Sequence, residues 1–147
     1  MSGVRITFAA DLAETNAFFA RAVAAGTNMR PLMAAIAATM AAATEEAFED
    51  ESDPSNGAKW PELSEVRKEQ RKEHGTWPGK MLQEYGPLAA SYLPSHGDTW
   101  AELGSVLEYA ATQHFGRGKI PPRPHLGLGP DHEAEIILAT ATFFSSL

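Results

Sequence analysis

The chain has 147 residues, no cysteine and a net charge of −7 at pH 7. Its length suits a single domain covering residues 1–147, and the lack of thiols excludes disulfide scaffolds, thiolate zinc sites and cysteine nucleophiles. The acidic balance argues against a duplex DNA-binding protein, and we find no apolar run of membrane-spanning length and no signal peptide. We therefore expect neither a membrane nor sequence-specific nucleic acid among its partners.

The first part of the chain predicts a strand followed by two helices. Residues 4–8 alternate apolar and polar side chains, as a half-buried strand does. Asp11 and Glu14 are spaced like a helix N-cap and its third residue, which predicts a first helix ending near Ala25. A second helix is predicted over residues 29–48, with a proline tolerated in its first turn.

A narrow apolar stripe follows the second helix. Its members alternate spacings of four and three residues: Met29, Met33, Ile36, Met40, Ala43 and Ala47. Such a stripe predicts contact with one partner surface, which is either the core of the same domain or a seam between subunits. Residues 45–53 then form an acidic run, and we expect this helix end to be solvated because carboxylates oppose the helix dipole there.

A third helix, predicted over residues 62–74, separates its charges onto two faces. The acidic side chains share one face: Glu62, Glu65, Glu69 and Glu73. The basic side chains share the other face: Arg67, Lys68, Arg71 and Lys72. A helix of this kind is either a solvated surface helix or a surface that meets a charged partner, and we take its basic residues as candidates for a subunit or partner interface.

The second half of the chain predicts a small antiparallel sheet and a last helix. Residues 89–93 and 99–103 resemble two strands joined by a turn at residues 94–98. Glycine and proline interrupt regular structure over residues 116–130, and helical apolar spacing returns over residues 131–144. We therefore predict an α+β fold, in which long N-terminal helices pack with a small antiparallel β-sheet and a C-terminal helix.

The sequence contains no residue pattern that identifies a catalytic or metal site. None of the five histidines has the helical spacing of a metal-binding pair, and no serine lies in a nucleophile-elbow motif. We therefore predict a protein that is not an enzyme and that uses no cofactor or metal. His132 is expected at the surface beside acids that cap the last helix, and a hydrolase built on it is the minor alternative.

Aromatic positions and a proline-rich segment are more informative. Trp60, Tyr109 and Phe115 each lie beside a small residue, which is typical of core anchors and, less often, of interface hot spots. We predict that Trp60 and Tyr109 are folding anchors. Residues 120–124 should form a rigid extended arm that lies on its own subunit, on a neighbour or in an SH3-type groove. On a neighbour, Arg123 would add a bidentate contact with a carboxylate.

Four ordered blocks mark the second half of the chain. They are GAKWPEL at residues 57–63, ML with GPL and S over residues 81–91, GS with YA and QHFG over residues 104–116, and IPPRPHLG at residues 120–127. Their order resembles the phage virion morphogenesis, or tail completion, family of Mu-like and related tailed phages. The chain departs from the family pattern in two places: Gln113 and His114 reverse its usual His-Gln order, and His125 stands where phenylalanine is usual.

The resemblance implies a non-enzymatic structural protein of the virion, with an α+β fold, acting at the head–tail joint at the head-proximal end of the tail. It also implies assembly in the bacterial host cytoplasm, a homo-oligomeric ring, often of six subunits, and contacts with neck, tail-tube or tail-terminator proteins. We add His114, Phe115 and Arg123, which lie in these blocks, to the candidate interface. A small acidic regulatory or protein-binding module, supported by size, acidity and helical content, is the alternative.

Overall fold

The computed structural model describes residues 13–24 and 28–146 of the chain. The strand predicted at residues 4–8, the cap at Asp11 and the end of the first helix near Ala25 lie outside these residues. The elements within them are α1 (Ala13–Ala24), α2 (Arg30–Asp50), α3 (Glu65–Glu73), α4 (Pro87–Ser91), β1 (Leu93–His96), β2 (Ala101–Gly104), α5 (Tyr109–Phe115) and α6 (Pro130–Ser145). Helices and a two-stranded antiparallel sheet confirm the predicted α+β class.

The long helix α2 is the centre of the fold. It packs against α6, β1 and β2, and its predicted stripe supplies much of the core. Met33, Met40 and Ala43 are at most 4% exposed. Because these side chains are already covered within one chain, the alternative of a seam between subunits along this stripe is wrong. The stripe is instead the surface around which the rest of the domain packs.

The two strands form the predicted hairpin in a shifted position. Leu93 of β1 faces Gly104 of β2, and the strands end with His96 opposite Ala101. The prediction placed the first strand too early because residues 87–91 form the short helix α4. A proline at its first position and a Leu-Ala-Ala run favour a helix there, whereas a short apolar run alone does not distinguish the two structures.

Helix α5 was not predicted, because its residues lack a clear apolar period. It ends at Gly116, whose φ of +76° favours glycine. A Cβ at this position would lie 2.8 Å from the carbonyl oxygen of Ile120 and 2.8 Å from the nitrogen of Pro122. The glycine therefore allows the chain to fold back closely from α5 into the proline-rich segment. Across residues 13–24 and 28–146, no helix has the length and apolar character needed to cross a membrane.

Candidate functional site

Trp60 connects the core to the proline-rich arm, which we define as residues 120–126. The indole is 4% exposed, and its Nε1 donates a hydrogen bond of 2.7 Å to the carbonyl oxygen of Pro124. Its ring meets that of Phe48 edge to face, with centroids 5.7 Å apart. Trp60 is thus buried as an anchor should be, and its contribution to folding stability remains a prediction.

Arg123 fixes the same arm to the chain before α3. Its Nε donates to the carbonyl oxygen of Pro61 and its Nη2 to that of Glu62, both at 2.9 Å. The residue is only 5% exposed, and burial lowers the pKa of the guanidinium. The arm therefore lies on its own subunit. Because the arm does not extend onto a neighbour, it does not carry Arg123 to a neighbour's carboxylate in the way that was predicted.

A buried hydrogen-bond network lies beneath the arm. His125 is fully buried, its Nδ1 is 2.9 Å from the carbonyl oxygen of Arg123, and its Nε2 pairs with the hydroxyl of Tyr92. Because a carbonyl oxygen only accepts, Nδ1 carries the proton and Nε2 accepts from Tyr92. Burial lowers the pKa of His125 to about 4 and raises that of Tyr92. This histidine is therefore neutral and structural at pH 7.

His114 supports the arm from α5. Its Nδ1 accepts the backbone N–H groups of His125 and Leu126 at 3.3 and 3.4 Å. The imidazole is half-buried, and burial is the main cause that lowers its pKa. Phe115, in edge-to-face contact with it at 4.5 Å between centroids, is 69% exposed. Of these two candidate interface residues, Phe115 presents the larger apolar surface to a partner.

The cations of α3 are largely engaged inside the protomer. Arg67 pairs with Glu84, Lys68 with Glu62 at 3.2 Å and with Glu65 at 3.3 Å, and Lys72 with Glu69 at 2.9 Å. The expected separation of charges onto two faces is thus partly offset by short-range ion pairs. The exposed Lys72–Glu69 pair adds little to folding stability, and all of these pairs reduce the charge that a neighbouring subunit would meet.

Glu84 is the residue that holds α3 against the following loop. Its carboxylate is bonded by His74 and Thr76 at 2.8 and 2.9 Å, and it also pairs with Arg67. The hydrogen bond from His74 is the largest cause that lowers the pKa of Glu84 to about 2, with Thr76 and Arg67 adding to it. The carboxylate is therefore ionised throughout the neutral range.

Arg71 is buried, contrary to the prediction that it faces a partner. It is 3% exposed, and its Nη1 and Nη2 donate to the carbonyl oxygens of Lys80 and Thr76 at 3.0 and 2.8 Å. Its guanidinium also lies over the ring of Trp77, 5.5 Å from the centroid. The sequence pattern placed Arg71 on the basic face of a helix, and the loop after α3 covers that part of the face.

A cleft of about 730 Å³ lies between α3, α5 and the arm, and we call it the α3–arm cleft. Its charged lining residues are Glu62, Arg67, Arg71, Glu84, Lys119 and Arg123. Its larger apolar and aromatic lining residues are Leu63, Leu82, Tyr85, Leu88, Tyr109 and Ile120. A surface that combines cations with aromatic rings is suited to bind a protein segment.

The cleft brings together some of the predicted site residues and leaves others apart. Arg67, Arg71, Arg123 and Tyr109 line it, whereas Lys68 and Trp60 line a second depression that shares Glu62 and Leu63 with the cleft. Lys72, His114 and Phe115 line neither. Tyr109 is 43% exposed, so its assignment as a buried anchor is wrong, because the first turn of α5 points it into the cleft instead of the core.

Two further lining residues, Tyr85 and Lys119, were not singled out from the sequence, and Ile120 was identified only as part of the arm. Tyr85 is 71% exposed and Ile120 is 40% exposed. The glycines that flank these loop positions mark turns, but they do not show which way the intervening side chains point. Only the folding of the arm toward α3 brings the three side chains to one cleft.

His132 has a structural position. It is 8% exposed, its Nδ1 accepts the backbone N–H of Gly129 at 3.1 Å, and its Nε2 lies 2.7 Å from a carboxylate oxygen of Glu46. The expectation of a surface histidine is wrong, because this side chain closes the N-terminal turn of α6 against α2. Among the described residues, no group of His, Asp and Glu side chains is arranged to hold a metal ion.

Comparison with known proteins places these features in context. The profile of the phage virion morphogenesis family matches residues 10–144. The chain is 34% identical over 118 residues to the putative capsid assembly protein G of Escherichia phage Mu, covering 75% of this chain and 76% of that protein. It is 36% identical over 109 residues to the Mu-like prophage FluMu G protein 1 of Haemophilus influenzae, covering 73% of each chain. No solved structure matches significantly.

Proposed function

The chain belongs to the phage virion morphogenesis family, and from this premise we propose that it is a structural protein that completes the head-proximal end of the tail at the head–tail joint. Its work there is binding and not catalysis. It contacts neck, tail-tube or tail-terminator proteins and assembles as a homo-oligomeric ring in the host cytoplasm before it becomes part of the virion.

The proposal rests on the α3–arm cleft, together with the membership of the chain in a virion morphogenesis family. Tyr85, Tyr109 and Ile120 keep 71%, 43% and 40% of their surface exposed around it. Large apolar side chains grouped around a cleft are typical of protein interfaces, where aromatic residues are enriched. The cleft therefore supports the proposed role of the chain in joining other proteins.

A second candidate follows from the name of the Mu relative, putative capsid assembly protein G. On that function, the chain would be needed to build the head itself. The two candidates differ in which particle is missing when the protein is absent, so a deletion separates them.

The test is deletion of the gene from the phage or prophage genome that encodes it, followed by electron microscopy of the lysate. We expect DNA-filled heads and separate tails, with infectious particles restored by the wild-type gene supplied in trans. Lysates without heads would contradict the joint and favour capsid assembly. Normal infectious particles would contradict both and favour the small regulatory module.

A further inference from the structure

The charges around the α3–arm cleft do not balance. Four cations and two carboxylates line it, although the whole chain has a net charge of −7. Glu84 is paired with Arg67, and Glu62 is paired with Lys68 outside the cleft. Among residues 13–24 and 28–146, this leaves three lining cations without a carboxylate partner: Arg71, Lys119 and Arg123.

Two of these cations are buried guanidinium groups. Arg71 and Arg123 are 3% and 5% exposed, and within the described part of the chain their hydrogen bonds go to backbone carbonyl oxygens. Among the residues that the structure describes, the Nε of Arg71 finds no hydrogen-bond partner. A buried charge without a counter-ion is unfavourable, and the ring of Trp77 offsets only part of that cost for Arg71. An anionic group that entered the cleft would therefore be stabilised by charges already held in place.

The apolar part of the cleft limits the kind of anion that fits. Leu63, Leu82 and Leu88 line it, and the exposed rings of Tyr85 and Tyr109 lie around them. These side chains would contact apolar groups placed between the ligand's negative charges. An extended peptide presents both kinds of group in alternation along its length, and a cleft of about 730 Å³ holds several of its side chains.

We propose that the α3–arm cleft binds an acidic peptide segment of another virion protein, with apolar side chains between its carboxylates. The proposal rests on the assembly function proposed above and names the chemistry of the partner. Nucleic acid fits less well, because its phosphate backbone would extend beyond the cleft. The rest of the chain is acidic, with nineteen acidic and twelve basic residues in total, and would repel the phosphates there.

The binding test uses the full chain and short fluorescent peptides. One peptide consists of glutamate residues interrupted by leucine and phenylalanine, and a second replaces each glutamate with glutamine. We expect the acidic peptide to bind and its affinity to fall as salt is added, whereas the glutamine peptide binds at least about fivefold more weakly. Fluorescence anisotropy measures both affinities.

Matched variants locate the binding surface. Lys119→Glu and Arg117→Glu make the same charge change on one short loop, but only Lys119 lines the cleft. Tyr109→Ala and Trp100→Ala each remove a ring of similar exposure, 43% and 48%, but only Tyr109 lines the cleft. We expect Lys119→Glu and Tyr109→Ala to weaken peptide binding about fivefold or more, and the two control variants to change it less than twofold.

Several results would overturn the proposal. Equal binding of the acidic and glutamine peptides would show that charge is not recognised, and equal losses in test and control variants would show that the cleft is not the site. Tighter binding of a single-stranded oligonucleotide at the same residues would identify nucleic acid as the occupant. Self-association abolished by Lys119→Glu without any peptide would identify a second copy of the chain. The deletion phenotype is independent of all these outcomes.

Discussion

At the scale of single residues, burial decides which side chains a partner can reach. The sequence places Trp60 just after a glycine turn, beside small residues that leave space for a ring, and its side chain is 4% exposed. It gives no comparable sign for Arg123, whose partners are backbone carbonyls about sixty residues away. A basic residue in a proline-rich segment looks exposed until the segment's path over the core is known.

Replacing Trp60 with alanine should lower the free energy of unfolding by roughly 3 to 5 kcal/mol, because it removes a buried ring and leaves a cavity. It also removes the hydrogen bond that holds Pro124. Urea unfolding followed by circular dichroism measures the change, with Tyr109→Ala as the control. Since Tyr109 is 43% exposed, its truncation should cost much less. Equal losses in the two variants would contradict the assignment.

His125 predicts how stability depends on pH. Its pKa falls from 6.5 in the unfolded chain to about 4 in the folded protein, because burial disfavours the charged ring. Between pH 4 and pH 6.5 the unfolded chain binds more protons at His125 than the folded protein does. The folding stability associated with the neutral, buried His125 is therefore complete above pH 6.5 and is lost as the pH falls toward 4. At about 1.4 kcal/mol per pKa unit, we expect the free energy of unfolding to fall by about 3 kcal/mol across this range.

The control replaces both members of the hydrogen-bonded pair, as Tyr92→Phe with His125→Phe. This places at residue 125 the phenylalanine usual in the family and leaves no hydroxyl without an acceptor. Urea unfolding at a series of pH values should show a flatter slope between pH 6.5 and 4, with a remainder due to His114, whose pKa is also lowered. A slope equal to that of the wild type would contradict the role of His125.

At the scale of elements, α3 shows what a helical wheel predicts and what it omits. The wheel places the acidic and basic positions on two opposite faces. The helix is found close to its predicted range, with Ser64 as N-cap through the hydrogen bond that its side chain accepts from the backbone of Arg67. The wheel cannot show that loop residues after α3 bind its cations, because their position depends on the tertiary fold. Arg71 is buried for that reason.

Glu84 should control the order of α3. Replacing Glu84 with glutamine removes the negative charge that pairs with Arg67 and weakens the hydrogen bonds from His74 and Thr76. Local unfolding of α3 should therefore become more frequent. Hydrogen exchange measured by mass spectrometry should then show faster exchange of α3 amides at pH 7. Glu73→Gln, an exposed position on the same helix, is the matched control. Unchanged protection of α3 in Glu84→Gln would contradict this role.

At the scale of the whole molecule, the two depressions beside α3 differ in their balance of charge. Four cations and two carboxylates line the α3–arm cleft, whereas Asp50, Glu51 and Glu62 line the second depression together with Lys59 and Lys68. A surface with more cations and a surface with more carboxylates on one subunit can contact each other head to tail, and repetition of such a contact closes a ring. This arrangement is consistent with the proposed ring.

Self-association of the free chain should accordingly be weak and sensitive to salt. The α3 cations already have partners within the subunit, and exposed ion pairs contribute only about 0 to 1 kcal/mol each. Analytical ultracentrifugation should show mostly monomer, with a larger species that grows at low salt and shrinks at high salt. Lys72→Glu should reduce this species, because Lys72 is exposed on α3, whereas Arg117→Glu, off the helix, should not.

An oligomer that ignores both salt and Lys72→Glu would contradict the electrostatic contact. It could not be assigned to the stripe of α2, because Met33 and Met40 are buried within the subunit. Among the described residues, Ile137 and Leu138 of α6 offer exposed apolar side chains on a long helix, at 40% and 67% exposure. Leu138→Glu would break an apolar contact there, and it would leave a contact made by α3 unchanged. The two variants together therefore determine which helix joins the subunits.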